Sequence, residues 1–280
     1  MKAAWVLLGV ALIAGTVADR VPQRPPLHVG PYRVLAMDFH IHPFPLSAST
    51  IAPWDLALEA RHQGLDALAI TGQNEAYSGR VARWFSRAVG GPTVIAGQEI
   101  HGPKFHMIAA GIHQTISWRL TAADAINEVH RQGGVAIAAH PTKEAWPFFG
   151  EAAKLLDGAE VAQPVVLQRP VRGGELHEFS RNSGAAAIGS SDWHGFGPIG
   201  ACRTYVFATD DSEAAILEAI RSHRTVVIDR GQVFGNLELA RSAGDRLGQE
   251  RPTRGTLAWF SAWCGVLGLA GVALASLRSS

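Results

Sequence analysis

The sequence predicts an α/β fold with a β/α barrel at its centre, and three observations support this prediction. Short apolar runs typical of buried strands alternate with longer amphipathic stretches typical of helices. About seven of these strand–helix units fit within roughly 200 residues, which favours a barrel over an open sheet. Histidine and carboxylate residues follow several of the apolar runs, and the active sites of such barrels collect at strand ends.

The composition excludes several classes of protein. Of the 280 residues, 47% are hydrophobic and 18% are charged, which excludes intrinsic disorder, collagen-like repeats and a transporter with many membrane spans. A formal net charge of +1 indicates no basic surface, so we expect no nucleic-acid partner. Cys202 and Cys264 are the two cysteines, which excludes a disulfide scaffold and a cysteine zinc site. The 12 histidines are the unusual feature.

Both ends of the chain are hydrophobic. Residues 1–18 carry one charge, at Lys2, and are predicted to be a signal peptide or an N-terminal anchor, with a buried helix as a further alternative. Residues 255–277 are uncharged and lie between Arg254 and Arg278. At about 1.5 Å per residue they extend over roughly 34 Å, enough to cross a hydrocarbon core of about 30 Å. We therefore predict a transmembrane helix there, rather than a buried core helix, and a membrane-attached protein.

Between these ends, residues 30–230 are predicted to form the barrel domain. In its first half the strands are short aliphatic runs, whereas the helices have apolar positions at helical spacing. The predicted strands are Val34–Ile41, Ala67–Thr71, Val94–Glu99 and Phe105–Ile112. The predicted helices are Trp54–Gln63, a segment that runs to Val89, and Ala122–Gln132.

The second half continues the alternation of strand and helix patterns. The predicted strands are Val135–Ala139, Ala159–Val166, Ala185–Ile188, Thr204–Phe207 and Thr225–Asp229. Helices are expected near Leu176–Arg181 and at Ser212–Ser222. Residues 231–254 are predicted to be a polar tail that leads to the membrane segment.

Candidate metal ligands lie at the strand ends. His40 and His42 close the first strand, and because residues i and i+2 of a strand face one side, both imidazoles should point the same way. Further imidazole and carboxylate groups end later strands, at Glu99, His140, Asp192 and His194. Imidazole and carboxylate together are the ligand set of zinc, manganese or iron. The pattern therefore predicts a metal site with hydrolytic chemistry.

The ordered motifs resemble those of a known family. They are Asp38-Phe39-His40-Ile41-His42, Gly97-Gln98-Glu99-Ile100, His106, Ala139-His140-Pro141 and Gly189-Ser190-Ser191-Asp192-Trp193-His194. Over roughly residues 30–230 this set is similar to the successive motifs of the PHP (polymerase and histidinol phosphatase) domain. The resemblance implies a distorted seven-stranded β/α barrel that holds metal ions and hydrolyses phosphoesters.

The same resemblance implies a role for each matching residue. One metal would be held by His40, His42, Glu99 and Asp192. Glu99 would bridge it to a second metal held by His106 and His140, and His194 would face a third position. The second strand of the family usually ends in Thr-Asp-His-Asn, whereas this chain has Thr71-Gly72-Gln73-Asn74. We therefore expect two divalent ions (zinc, manganese or iron) and a third site that is weak or absent, because an amide oxygen is a poorer ligand than imidazole.

Several other polar residues have both a functional and a structural interpretation. Arg203 and Lys104 are candidate substrate-binding residues, because a guanidinium or ammonium group can hold a phosphate oxygen, although a structural salt bridge is an alternative for Arg203. Arg169 and Arg172 lie on loops that could overhang the site. His101 and His113 neighbour the metal motifs, but surface histidines beside strands are commoner than ligands.

These observations predict a membrane-anchored metal-dependent hydrolase, with a phosphoesterase as the first choice. A hydroxide that bridges the metals would attack phosphorus, Asp192 would act with the metals in catalysis, and His194 would protonate the leaving oxygen. The expected substrate is a small-molecule phosphoester or related ester. The alternatives are hydrolysis of a carbamate, carboxyl ester or amide, and a non-catalytic metal-binding sensor or scaffold. We expect the catalytic domain to be extracytoplasmic, although Arg20, Arg24, Arg251 and Arg254 flank it and favour the cytoplasm.

Overall fold

The structure is a computed structural model, and it describes residues 2–18, 26–45, 47, 49–164, 170–195, 197–248 and 256–277. The chain divides into two compact units. One unit contains residues 25–250, and the other contains residues 1–24 and 251–280. Each unit is described by itself below.

The larger unit is built on a mixed sheet of eleven strands. In chain order they are β1 (Leu27–Val29), β2 (Tyr32–Asp38), β3 (Ala67–Gln73), β4 (Thr93–His101), β5 (His106–Ala110), β6 (Val135–Ala138), β7 (Gly158–Ala162), β8 (Ala186–Gly189), β9 (Thr204–Ala208), β10 (Thr225–Asp229) and β11 (Gln232–Gly235). Their order in the sheet is β11-β10-β9-β2-β3-β4-β5-β6-β7-β8, with β1 paired to β2.

The sheet curves into a nearly closed barrel, which confirms the predicted fold class. The pairs β2–β3, β3–β4, β6–β7 and β7–β8 are parallel, as expected of βα units. The strand number differs from the expected seven because antiparallel hairpins add strands without a helical crossover. The hairpins are β1–β2, β4–β5 and β10–β11.

The barrel closes between β8 and the strands β9 and β2 without a continuous ladder. The hydroxyl of Thr204 on β9 accepts a hydrogen bond from the Gly189 amide and donates one to the Gly189 carbonyl, both at 2.9 Å. A Cβ on Gly189 would lie 2.9 Å from the Arg203 carbonyl oxygen, so this close approach requires glycine. Beyond the strand ends, Ile41 and Trp193 form a parallel bridge. The segments that follow β2 and β8 are therefore neighbours.

The core follows the alternation of side chains along the strands. Leu35, Met37 and Phe39 point into the barrel and are fully buried with Ile95 and Ile108. The intervening residues of β2 face the surrounding helices. They share a second apolar cluster with helix residues, made of Val34, Ala36, Leu56, Ala57 and Ala60.

Helices surround the barrel close to the predicted positions. They are α2 (Pro53–His62), α3 (Tyr77–Ala88), α4 (Ala122–Arg131), α5 (Trp146–Phe149), α6 (Pro170–Ser183) and α7 (Glu213–Arg221). Ser212 caps α7 by accepting a hydrogen bond from the Ala215 amide at 3.2 Å. Ile216 and Ile220 of α7 join the inward-facing cluster. Thus α7 fills the end of the barrel that is opposite to the strand carboxyl ends, where Arg221 donates to the Gly133 carbonyl that precedes β6.

The region predicted to be a polar tail, residues 231–254, is ordered over most of its described part. It forms β11, the helix α8 (Leu237–Ala243) and a short 3-10 helix at Gly244–Arg246. Asn236 caps α8 by accepting from the Leu239 amide at 3.1 Å. Ala243 and Leu247 are buried in the second apolar cluster, which includes Val34 and Ala36. Apolar residues spaced between charged ones allow this segment to cover the sheet while keeping a polar outer face.

The smaller unit consists of two helices, α1 (Lys2–Ala18) and α9 (Thr256–Leu277). They are antiparallel, because Gly15 lies beside Ser261 whereas Ala4 lies beside Gly271. The Ser261 hydroxyl donates to the Ala11 carbonyl at 2.7 Å. Among the described residues, the window Phe260–Leu277 is long and apolar enough to cross a membrane, and α1 is a shorter apolar helix.

Candidate metal centre

The His40-Ile41-His42 segment extends β2 past its last ladder pair and is fixed by backbone bonds on both sides. On one side, the Thr71 amide donates to the Ile41 carbonyl at 2.9 Å. On the other, the His42 amide donates to the Trp193 carbonyl at 3.1 Å, and the Trp193 amide donates to the His40 carbonyl at 3.2 Å. Both imidazoles face the same region, with their Nε2 atoms 3.0 Å apart. The alternation along the strand therefore brings the two side chains together, as expected.

Asp192 and Glu99 complete a set of donors around these two nitrogens. Asp192 Oδ1 lies 3.0 Å from His42 Nε2 and 3.2 Å from His40 Nε2. Glu99 Oε1 lies 3.5 Å from His40 Nε2, and its Oε2 lies 3.4 Å from His42 Nε2. His40, His42 and Glu99 are almost fully buried. Four donor groups from three different strand ends thus meet in one buried place.

His140 and Glu160 extend this buried set. His140 Nε2 lies 3.3 Å from Glu99 Oε1 and 4.0 Å from Asp192 Oδ2. The carboxylate of Glu160, on β7, is completely buried and lies 2.9 Å from His40 Nδ1. It also accepts from the His140 amide at 2.6 Å and from the Ser190 hydroxyl. Glu160 therefore fixes both the ring of His40 and the backbone of His140.

Asp38 and Gln163 make further hydrogen bonds that hold the loops around the cluster. Asp38 is buried and accepts from the amides of His40, Ser191 and Gly200 at 3.1, 3.0 and 2.7 Å. Its carboxylate thereby ties the end of β2 to the loop that carries Asp192. Gln163 donates to Asp192 Oδ2 at 2.6 Å. Partners of this kind orient ligands and typically contribute about 10- to 100-fold in metal affinity.

The backbone around the cluster adopts uncommon conformations. Asn74, His140 and Asp192 have φ of 55°, 31° and 48°, the left-handed region that residues other than glycine rarely adopt. Such positions cost on the order of 1–3 kcal/mol each and persist where the surrounding structure fixes them, often at functional sites. Each of the three follows the carboxyl end of a strand, so the strain is concentrated around the cluster.

A second group of imidazoles lies on the β4–β5 hairpin. Glu99 and His101 are two residues apart on β4 and face the same side, while His101 and His106 are direct partners across the antiparallel pair. The two rings are stacked, with centroids 3.9 Å apart and planes at 13°. His101 Nε2 contacts Glu99 Oε2, and His106 Nδ1 lies 3.1 Å from Glu99 Oε1. Their side chains are 31% and 35% exposed.

We call His40, His42, His140 and Asp192 the inner cluster, and His101 with His106 the outer cluster. Glu99 lies between them, with its two oxygens directed at both. From the sequence, His101 was expected to be a surface histidine more often than a metal ligand. Its place in the site depends on the hairpin register, which the local sequence does not reveal. Glu160 and Gln163 were also missed, although a glutamate within an apolar run is itself a signal.

The charges of the site favour a cation. Burial raises the pKa of Glu99, but the surrounding imidazoles, first among them His40, outweigh it and hold the pKa well below its usual range. Burial likewise raises the pKa of Asp192, and His40 and His42 more than reverse it. Burial lowers the pKa of His40, but the carboxylates of Asp192, Glu99 and Glu160 raise it well above its ordinary value. Carboxylates that stay ionised in a buried site attract positive charge.

The donor set fits divalent metal ions. Ligand bonds of about 2.0–2.1 Å to zinc in a tetrahedron separate the ligand atoms by about 3.3 Å. The separations within the buried set, measured from His40 Nε2 and His42 Nε2 to each other and to the carboxylate oxygens, run from 3.0 to 3.5 Å. His106 Nδ1 is buried and lies 3.1 Å from Glu99 Oε1, but it forms no well-directed hydrogen bond with any described residue. A buried nitrogen of this kind calls for a partner, and a metal ion is a suitable one.

The seven predicted metal ligands converge in the structure. His194 lies at the edge, 34% exposed, with its Nδ1 donating to the Asp192 carbonyl at 2.8 Å. Gln73 ends β3 in register with Glu99. The converging ligands are His40, His42, Glu99, His106, His140, Asp192 and His194.

The other candidates occupy different places. Arg203 donates to the carbonyls of Gly200 and Gln63 at 3.0 and 3.3 Å, an arrangement that favours the structural interpretation over contact with a substrate. Lys104 is exposed on the turn between β4 and β5, beside the outer cluster. His113 is exposed and outside the clusters. Arg169 and the side chain of Arg172 lie outside the described residues.

Comparisons with known proteins give similarity of structure alone. No protein-family model matches the chain, and no curated protein matches it. A crystal structure from Bacteroides vulgatus, of a two-domain protein containing a predicted PHP-like metal-dependent phosphoesterase, matches with a TM-score of 0.64 and 22% identity. The match covers 80% of this chain and 73% of that one.

A second structure, from Bifidobacterium adolescentis and assigned as a metal-dependent phosphoesterase, has a TM-score of 0.48 and 18% identity, over 59% of this chain and 91% of that one. An amidohydrolase from Chromobacterium violaceum has a TM-score of 0.47 and 16% identity, over 59% and 89%. The fold that the motif resemblance implied is confirmed by the Bacteroides structure. The chain is a β/α barrel protein with a PHP-like fold.

Proposed function

We propose that the barrel is a metal-dependent hydrolase whose most favoured substrates are phosphoesters. One observation carries the proposal. Glu99 directs one oxygen toward His106, 3.1 Å away, and the other toward His42, 3.4 Å away. A single carboxylate placed between two groups of imidazoles is the arrangement needed to bridge two divalent ions. The PHP-like phosphoesterase in the Bacteroides protein supports the same reaction class.

The donor chemistry supports zinc, manganese or iron as the ions. His40, His42, Asp192 and Glu99 would hold one ion, and His106, His140 and Glu99 would hold the other. When bound, such ions acidify water to a pKa of about 7 and neutralise charge that develops on phosphoryl oxygens.

The protein's own groups supply the remaining functions. Because His194 Nδ1 donates to a backbone carbonyl, its Nε2 is the ring nitrogen left to exchange a proton with the leaving oxygen. Lys104, on the turn beside the outer cluster, adds positive charge on the exposed side of the site. An anionic substrate would approach from that side. Arg203 braces two loops instead and is not assigned to the substrate.

Two alternatives keep the site but change its role. The same acidified water could attack a carbamate, carboxyl ester or amide. The barrel could also retain ions for stability as a sensor or scaffold. Assays of the metal-loaded protein with p-nitrophenyl phosphate, bis-p-nitrophenyl phosphate, p-nitrophenyl acetate and an anilide distinguish these roles. Phosphoester turnover that disappears with chelator and returns with metal supports the proposal, whereas full metal loading without turnover on any substrate contradicts it.

We further propose that α9 attaches the protein to a membrane, with the barrel on the extracytoplasmic side. The support is the length and apolarity of Phe260–Leu277 and the apolar helix α1 at the start of the chain. Fractionation of cells that express the full chain tests attachment, and protease treatment of intact cells or spheroplasts tests orientation. A barrel that remains in the soluble fraction, or that is protected from external protease, contradicts the respective part of the proposal.

A further inference from the structure

We propose that His101 is a further ligand of the ion assigned to Glu99 and His106, on the β4–β5 hairpin. The inference rests on the proposed function, because it assumes that the site holds divalent ions. It assigns His101, which belongs to none of the motifs that carry the family resemblance.

The hairpin geometry places Glu99, His101 and His106 on one face. Glu99 and His101 point to one face of β4 because they are two residues apart, and His106 is placed on that face by its direct pairing with His101. One donor atom from each of the three residues lies within 4.8 Å of the other two. A two-stranded hairpin thus supplies a complete three-ligand set without help from the rest of the barrel.

The contacts of the His101 and His106 imidazoles also favour a bound ion. The two rings are stacked with centroids 3.9 Å apart, and both lie against the carboxylate of Glu99. His106 Nδ1 is buried and, although Glu99 Oε1 lies 3.1 Å away, forms no well-directed hydrogen bond with any described residue. A hydrogen bond from His101 to Glu99 explains the position of His101 but leaves that nitrogen unsatisfied. A divalent ion satisfies both rings and the carboxylate together.

His140 belongs to the inner cluster as well as to the ion that the motif resemblance implied for it. The motif resemblance implied His140 as the partner of His106. In the structure His140 also groups with His40 and Asp192. Its amide is held by Glu160 on the inner side. His101 lies at Glu99 Oε2, whereas His140 Nε2 lies 3.3 Å from Oε1, so the two imidazoles approach different oxygens of the carboxylate. His101 would add a ligand on the exposed side of the outer ion, which would be the more exchangeable ion.

The test uses the metal-free full chain in detergent, titrated with Co²⁺ and followed by calorimetry and by the visible absorption of the bound ion. The variants are His101→Ala, and His101→Gln to preserve side-chain volume. The matched control is His113→Ala, which removes an exposed histidine outside the clusters. We expect His101→Ala to weaken binding of the lower-affinity ion by at least about 10-fold. Losing a residue that only orients a ligand already costs about 10- to 100-fold in affinity, so losing a ligand should cost no less. The higher-affinity ion and the control should be unchanged.

The visible spectrum separates a ligand from a ring that only packs against His106. Loss of a nitrogen ligand changes the Co²⁺ spectrum of the weaker site in both His101 variants, whereas loss of packing alone changes affinity without changing the spectrum. Unchanged affinity, or changed affinity with an unchanged spectrum, overturns the inference. A wild-type chain that binds no Co²⁺ contradicts the proposed function itself, so the two failures are distinguishable.

Discussion

The inner and outer clusters differ in how firmly the protein holds them. The inner imidazoles of His40 and His42 are completely buried. Glu160 fixes the ring of His40, Gln163 holds Asp192, and Asp38 holds the loops. The outer pair, His101 and His106, is about one third exposed and is supported by Glu99 and by ring stacking. Preorganised ligands lose little freedom when an ion binds, whereas exposed ones must be ordered. We therefore expect one tightly bound ion and one that exchanges with solvent.

The largest expected effect comes from the group that both clusters share. Glu99→Gln replaces a carboxylate by one carbonyl oxygen and an amide donor, which cannot face imidazole donors or ions on both sides. We expect both ions to be lost and hydrolysis to fall by more than about 100-fold, above the range for supporting residues. Elemental analysis after dialysis gives the metal content, and circular dichroism checks that the barrel remains folded.

Glu151→Gln is the matched control for that variant. Glu151 is an exposed glutamate that pairs with Lys154 on the short 3-10 helix before β7, outside both clusters. Full metal content in Glu99→Gln would contradict the bridging role and would make the two clusters independent.

The second prediction separates the clusters through Glu160. This carboxylate accepts from His40, Ser190 and His140, and an amide in its place would direct a donor at one of these donors. Glu160→Gln should weaken the tighter ion by about 10- to 100-fold, and it should weaken the other ion less, because Glu160 contacts that ion's ligands only through the backbone of His140. Calorimetric titration of the metal-free protein measures both affinities. An equal loss at both sites would indicate that Glu160 supports the whole barrel rather than the inner cluster.

The third prediction asks whether the clusters need the terminal helices. Both clusters lie within the compact unit of residues 25–250. A chain of residues 21–248 should therefore be soluble without detergent and should bind the same number of ions as the full chain. Size-exclusion chromatography with elemental analysis measures both properties. Aggregation of the shortened chain, with a well-behaved full chain in detergent, would assign a terminal segment to the barrel core.

The smallest effect is expected at the end of β3, where the family's usual histidine is absent. Gly72→Asp with Gln73→His should add about one weak ion, shared with His194, since a neighbouring carboxylate that accepts a hydrogen bond from the introduced imidazole orients its ring. The φ of Gly72 is not positive, but a Cβ there would lie 1.7 Å from Glu75 Oε1, so the Glu75 side chain must move. Because Glu75 accepts from the Ser78 amide at 2.9 Å, its displacement weakens the start of α3.

The double variant should consequently lose about 1 kcal/mol of stability, as loss of a helix cap does, and Gln73→His alone should not. Elemental analysis and thermal melts of both variants, with and without His194→Ala, measure these outcomes. A gain of metal that persists without His194 would contradict the shared site and point instead to binding by the outer cluster.

Much of the barrel was predictable because its strands are short apolar runs between polar turns. The strand Thr225–Asp229 matches its prediction at both ends, and the helix Ala122–Arg131 differs by one residue. Local patterns could not reveal the fold of residues 232–246, because their apolar side chains alternate with charged ones and are buried only by contact with the sheet.

The site shows the same division between local and tertiary information. His40 and His42 were predictable because two positions on one strand fix their relation. His101 depends on pairing with His106 across the hairpin, which requires the register of β4 and β5. Arg203 was a candidate substrate ligand with a structural role as the alternative, and local patterns could not reveal its contact with the Gln63 carbonyl, 140 residues away in sequence.

The closure of the barrel has a consequence for how metal and folding are connected. Between β8 and β9 the wall depends on the Thr204 hydroxyl, and above it on the bridge between Ile41 and Trp193. The proposed ligands lie on both sides of this seam, since His40 and His42 follow β2 whereas Asp192 follows β8. An ion in the inner cluster would therefore connect the two sides of the seam through its ligands. Amide hydrogens of β8 and of the Trp193 segment should exchange more slowly in the loaded protein, and release of the ion should open the wall there first.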